Sequence, residues 1–285
     1  MGITAALYPL LLLLAALAPF GLGVLLASAS GFPPRGPVLA LEILTITALF
    51  LAGWAGREAY GPRLGRGPEV SGWSPASWQR LAYACLVLAG IAALFLQLVW
   101  QTGDFTIPLA AVGILGGYYI FAPPLAWHRR GLGEFWAGLS FGLLPVVTGF
   151  YLQSRHLISE VLLYGLPLSL AAFNLFLLLG FPEPGQEAQR LSLAARLTPA
   201  GAGLVYTIIN ILVIACLAFN LFFPAAGHWS LSWLWALILL AVVNQELMKR
   251  RAYYQAARVQ LLSFLTLSLH LGMSLVFALG LWGRL

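Results

Sequence analysis

The chain has 285 residues, of which 61% are hydrophobic and only 8% charged. Soluble globular domains carry about a quarter charged residues, so a water-soluble enzyme or binding domain is excluded. The formal net charge of +6 calls for an explanation, and its distribution along the chain supplies one without invoking nucleic acid.

Apolar runs of about 20 residues, each long enough to cross a bilayer core, recur along the whole length. In chain order they predict nine spanning helices at 5–29, 37–55, 80–101, 106–122, 135–153, 158–180, 201–223, 230–248 and 260–282. No strict alternation calls for strands, and helices satisfy their own backbone hydrogen bonds in lipid. The expected fold class is therefore all-α, a polytopic membrane bundle of nine transmembrane helices in one domain over 1–285. The first block ends in "LASAS", which has the look of a signal-peptide cleavage site. No basic residue precedes it and its apolar run is too long for a signal core, so it reads as a retained span.

The loops orient the bundle. Those after the second, fourth, sixth and eighth helices, with their flanks, hold Arg57, Arg63, Arg66, Arg80, Arg129, Arg130, Arg190, Arg196, Lys249, Arg250, Arg251 and Arg258, twelve of the fifteen basic residues. The opposite face has Arg35, Arg155 and Arg284. Basic loops resist translocation, so the even-numbered loops are expected in the cytoplasm, with the N-terminus inside and the C-terminus outside an inner or plasma membrane. Anionic lipid headgroups at that face account for the excess charge. Cys85 and Cys216 lie inside predicted spans without redox or zinc spacing.

The polar residues also collect on the cytoplasmic side. The longest loop, "AGREAYGPRLGRGPEVSGWSPASWQR" (55–80), carries Glu58, Glu69 and four arginines. The second, "APPLAWHRRGLGEFW" (122–136), carries His128, Arg129, Arg130 and Glu134. The third begins "FPEPGQEAQR" (181–190), with Glu183 and Glu187 four residues apart. Carboxylates facing arginines suit an anion bridged by a divalent cation, since magnesium takes one or two carboxylates plus phosphate oxygens and arginine forks pair with phosphate. The competing reading is lipid-binding loops balanced by solvated glutamates. Glu134 reads as a cap on the fifth helix, where the dipole favours an acid. Glu246 and Arg250 have helical ion-pair spacing. His270, Asn174, Asn210 and Asn220, inside spans, read as interhelical hydrogen-bonding groups.

Residues 116–154, "GGYYIFAPPLAWHRRGLGEFWAGLSFGLLPVVTGFYLQS", resemble the middle of the UbiA superfamily of intramembrane prenyltransferases. They are most similar to the menaquinone branch, the 1,4-dihydroxy-2-naphthoate polyprenyltransferases. Tyr118, Tyr119, Pro123, the Gly131–Glu134 turn, Gly142, Gly149 and Tyr151 carry the likeness. The resemblance implies helices around a central cavity and transfer of a polyprenyl group from its diphosphate to an aromatic acceptor, as in menaquinone biosynthesis. It also implies Mg2+ held by two acidic motifs after the second and sixth helices. In this sequence the first motif reads "REAYGPRLG": Glu58 stands for its first aspartate, Arg57 for its asparagine, Gly61 for its second aspartate, and Gly65 keeps a later glycine. The second keeps its spacing as Glu183 and Glu187.

On that resemblance Glu58, Glu183 and Glu187 are the expected metal and catalytic residues, and Arg57, Arg63, Arg129, Arg130 and Arg190 the diphosphate-binding set. Expected partners are the isoprenoid diphosphate, the aromatic acceptor and membrane lipid. The altered first motif leaves an alternative, a UbiA-like protein that binds a quinone or isoprenoid without turnover, as a subunit of a membrane complex.

Overall fold

The computed structural model describes residues 2–61, 73–181, 192–222 and 231–283, with side chains from Pro9 onward in the first helix and from Ser232 in the tenth. The described chain is helical: α1 (Gly2–Ala29), α2 (Gly36–Tyr60), α3 (Pro75–Leu98), α4 (Thr106–Gly117), α5 (Gly133–Phe141), α6 (Leu143–Ser154), α7 (Glu160–Leu179), α8 (Leu193–Arg196), α9 (Pro199–Phe222), α10 (Leu231–Lys249) and α11 (Ala256–Trp282). Single 3-10 turns follow α4 at Tyr118–Ile120, precede α5 at Trp127–Arg130 and follow α10 at Ala252–Tyr254.

Among the described residues, seven helical stretches are long and apolar enough to cross a membrane: Pro9–Ala29, Gly36–Tyr60, Pro75–Leu98, Gly133–Ser154, Glu160–Leu179, Pro199–Phe222 and Ala256–Trp282. The expected spans at 106–122 and 230–248 coincide with helices outside that set. At a rise of 1.5 Å per residue, the 12 residues of α4 reach about 18 Å, short of a hydrocarbon core of about 30 Å. Helix α10, at 19 residues, rises about 28 Å, close to the thickness of a hydrocarbon core.

The span expected at 135–153 is interrupted. Helices α5 and α6 meet at Gly142, where a Cβ would collide with the backbone of Ser169 on α7. The Leu143 N–H, released from helical pairing at this break, donates to Ser169 Oγ at 2.7 Å. Pro145 in the first turn of α6 has no N–H to donate back across it. Close approach by α7 thus sets the break, and one side-chain hydroxyl satisfies the backbone there. Gly23 of α1 and Gly149 of α6 form a second close approach, each standing where a Cβ would strike the other helix's backbone.

Two prolines inside helices create a further demand. Pro19 of α1 has no N–H for the Ala15 carbonyl, and Pro167 of α7 has none for Leu163. In each case a polar side chain from another helix donates instead. His270 of α11 brings Nε2 to 3.0 Å from the Ala15 carbonyl, and Asn220 of α9 brings Nδ2 to 3.3 Å from the Leu163 carbonyl.

Contacts at the two ends of the bundle show which loops share a side. At one end, Arg35 donates to the Leu152 carbonyl and Arg155 to the Trp100 carbonyl, and the ring of Phe32 meets His156. At the other, Tyr60 meets Tyr83, the Arg196 guanidinium donates to the Arg129 carbonyl, and Ala194, Ala202, Met248 and Ala252 share one apolar cluster. Tyr118 packs against Tyr60 and Tyr83 as well, so the described ends of the four arginine-rich loops lie on one side of the bundle.

Candidate functional site

Of the expected site residues, Arg57, Glu58, Arg129 and Arg130 fall among the described residues. Arg63, Glu183, Glu187 and Arg190 lie outside them.

Arg57 and Glu58 were expected in the loop after the second helix, but both belong to the last turn of α2, which continues to Tyr60. The extension has a packing cause. Ala52, Ala55, Ala82 and Cys85 let α2 and α3 approach closely, and Tyr60 and Tyr118 cap that cluster. Gly56 lies against the Tyr118 ring, where a Cβ would come to 3.2 Å. Glu58 is half-buried, and the Arg57 guanidinium lies 5.3 Å from the Trp54 ring centre. That cation–π contact holds the arginine against the end of its own helix.

Arg129 and Arg130 occupy the exposed 3-10 turn before α5. Arg130 lies 5.8 Å from the Trp127 ring centre, and the Trp127 indole donates to the Leu115 carbonyl at 3.0 Å. Beneath them His128 is buried, its Nδ1 2.8 Å from the Ile120 carbonyl and its ring against Phe121. Burial, the largest effect, and the neighbouring Arg129 charge push the His128 imidazole below its ordinary range, so it is neutral at pH 7. We assign its proton to Nδ1, because the carbonyl can only accept.

Glu134 does more than the expected helix cap. It sits in the first turn of α5 but reaches across to the chain after α7, where its Oε1 accepts the Leu193 N–H at 2.8 Å. Ser192 Oγ donates to the Gly180 carbonyl at 2.7 Å and accepts the Ala195 N–H at 3.1 Å. Gly131, in the left-handed region at φ 74°, gives the Arg196 side chain room to reach the Arg129 carbonyl. The two chain ends flanking 182–191 are thus clipped to each other and to the arginine turn. Glu134, Ser192 and Arg196 were not read as site residues. Their one sequence signal is an acid following Gly131-Leu132-Gly133 at the edge of an apolar run.

Among the described residues, no group of three His, Cys, Asp or Glu side chains could hold a metal ion. Two cavities of about 210 and 270 Å³ lie between α3 and α4 and between α1 and α2. Both have apolar linings, such as Ala93 and Ile114 in the first and Phe20 and Ile43 in the second, and neither includes an expected site residue. They are not the expected central cavity.

With this geometry in place, comparison with solved structures identifies a likeness of fold. A solved structure, the apo form of a UbiA homolog from Aeropyrum pernix K1, matches with a TM-score of 0.66 over 95% of this chain and 97% of that one. The chain has a UbiA-like fold. Sequence identity to that homolog is 18%, so the likeness is one of fold. The sequence matches no protein-family model and no curated protein. The seven apolar helices carry the membrane-spanning character, and the near full-length superposition carries the UbiA-like architecture.

Proposed function

We propose that the chain is a membrane prenyltransferase that moves a polyprenyl group from its diphosphate to an aromatic acceptor of the naphthoate or quinone kind, as in menaquinone biosynthesis. The observation that carries this reading is the UbiA-like fold over almost the whole chain. The clip that joins the arginine turn to the ends of the second acidic segment supports it.

In the reaction, the allylic carbon–oxygen bond breaks and its electron pair leaves with the diphosphate. A ring carbon of the acceptor forms the new carbon–carbon bond, and the group that carbon carried leaves, as a proton from an unsubstituted carbon or as CO2 from a carboxylated one. Developing negative charge on the diphosphate is the feature to stabilise, and fixed cations at its position do so without reorganisation. In this reading Arg57, Arg129 and Arg130, with Arg63 and Arg190, supply that charge. Tryptophan contacts hold Arg57 and Arg130 in place.

Mg2+ is the proposed cofactor, with Glu58, Glu183 and Glu187 as its protein ligands. Glu58, half-buried at the end of α2, is the one member among the described residues, and one carboxylate fits magnesium only when others and phosphate oxygens complete the shell. When bound, the ion would neutralise charge on the departing diphosphate. The basic loops then face the cytoplasm of an inner or plasma membrane, where a soluble diphosphate head is met.

The test is a transfer assay in nanodiscs with geranylgeranyl diphosphate, 1,4-dihydroxy-2-naphthoate and Mg2+. Prenylated product is expected, abolished by chelator and reduced at least a hundredfold in Glu58→Gln, Glu183→Gln and Glu187→Gln. No product with any aromatic acceptor, or full activity in all three variants, would overturn the reading.

A further inference from the structure

The half of the bundle built from α7, α9, α10 and α11 contains two separate apolar clusters. One includes Ala171, Val213, Ala241 and Leu269, and the other includes Leu178, Ala202, Met248 and Leu262. Each of the four helices contributes to both clusters, at different levels, so the two are stacked along the helix axes. Between them every helix places a polar residue: Asn174 on α7, Asn210 on α9, Asn244 and Gln245 on α10, and Thr266 on α11. All five are at least nine-tenths buried, and Asn244 has no exposed surface.

Direct hydrogen bonds join part of this layer. Asn174 Nδ2 donates to the Tyr206 carbonyl at 3.2 Å, and the Tyr206 hydroxyl meets Thr266 Oγ1 at 2.9 Å. Asn210 Nδ2 donates to the Ala241 carbonyl at 2.8 Å and to Gln245 Oε1 at 3.0 Å. Four buried atoms are left without a protein partner: Asn174 Oδ1, Asn244 Oδ1, Asn244 Nδ2 and Gln245 Nε2. They comprise two acceptors and two donors, and the balance survives rotation of the Asn244 amide.

That balance defines the ligand class. An anion would need surplus donors or a positive charge, and a cation surplus acceptors or a negative one. The layer offers equal numbers of each and no carboxylate, lysine or arginine. A prenyl chain would leave all four atoms unsatisfied, at roughly 1–3 kcal/mol each. Water donates two hydrogen bonds, accepts two, and occupies buried sites with about three polar partners. We propose that this layer is hydrated, with internal water that bridges Asn244 and Gln245 of α10 to neighbouring helices between the two apolar clusters. The bridging water fixes the axial register of α10, because sliding by one turn would put amides into the apolar clusters.

Two measurements test this. An experimental density map of the protein in lipid, at a resolution that shows ordered solvent, should place water within hydrogen-bonding distance of Asn244 and Gln245 Nε2. A layer with Asn244 turned onto a protein group instead would overturn the proposal. Reversible unfolding in mixed micelles gives the second readout through its sign. For a hydrated layer, Asn244→Leu should lower the folding equilibrium constant roughly tenfold, because it expels water and strands Gln245 Nε2. The double variant Asn244→Leu, Gln245→Leu should recover part of that loss. A rise in stability on Asn244→Leu alone would mean a dry, unsatisfied asparagine and would overturn the proposal. If the leucine variant does not fold, the density map decides.

Discussion

The link between Pro19 and His270 gives the sharpest prediction. Without a proline N–H, the buried Ala15 carbonyl depends on His270 Nε2, 3.0 Å away on a helix 255 residues further along the chain. A neutral imidazole has one N–H. We place it on Nε2, because the Leu168 carbonyl facing Nδ1 at 3.2 Å has a helical donor available from Ala172. His270→Ala removes that donor and leaves a cavity, for an expected loss of about 2–4 kcal/mol. Pro19→Ala restores the helical N–H, so the carbonyl no longer needs the histidine. The cavity is the same in both backgrounds, and the backbone-entropy effect of losing proline is common to both arms of the cycle. What remains is the hydrogen bond, about 1–2 kcal/mol, at or somewhat above the upper end of values measured within membranes. Unfolding of the four proteins in mixed micelles, followed by tryptophan fluorescence, yields this coupling. Additivity within about 0.3 kcal/mol would refute the orphan-carbonyl argument.

Three further outcomes follow from the same geometry. Glu42 is almost wholly buried, has both oxygens 3.0 Å from Gln153 Nε2 and makes no ion pair among the described residues, so Glu42→Gln should raise the melting temperature or leave it unchanged, whereas Glu42→Leu, which strands Gln153, should lower it. His128 is held below its ordinary value of 6.5, so the unfolded chain binds its proton first as pH falls. Stability from this group is therefore complete above about pH 6.5 and is lost as pH falls from there toward the folded-state value, so the slope of melting temperature against pH should flatten in His128→Gln. Gly142→Ala should prevent the α5–α7 approach and cost more than about 3 kcal/mol, read as loss of folded yield, because the colliding atoms are backbone and cannot turn aside.

The candidate site was legible to different depths. Composition drew attention to the carboxylates and arginines of the arginine-rich loops, and the structure places Arg57 and Glu58 on the end of α2 and Arg129 and Arg130 on an exposed turn. The expectation for Arg63, Glu183, Glu187 and Arg190 concerns residues outside those described. The clip made by Glu134 with Leu193 joins residues 59 apart, and no local pattern announces such a partner.

By itself the sequence determined the membrane class, the helical content and the approximate position of each apolar helix. Run length and charge are local properties, and a bilayer reads them one segment at a time. Only the tertiary structure decided that α2 runs on through Arg57 and Glu58, that Gly142 breaks a span, and that His270 and Asn220 answer prolines on other helices. Each of these depends on which helix lies alongside. A buried carbonyl or a missing Cβ acquires meaning only from the neighbour packed against it.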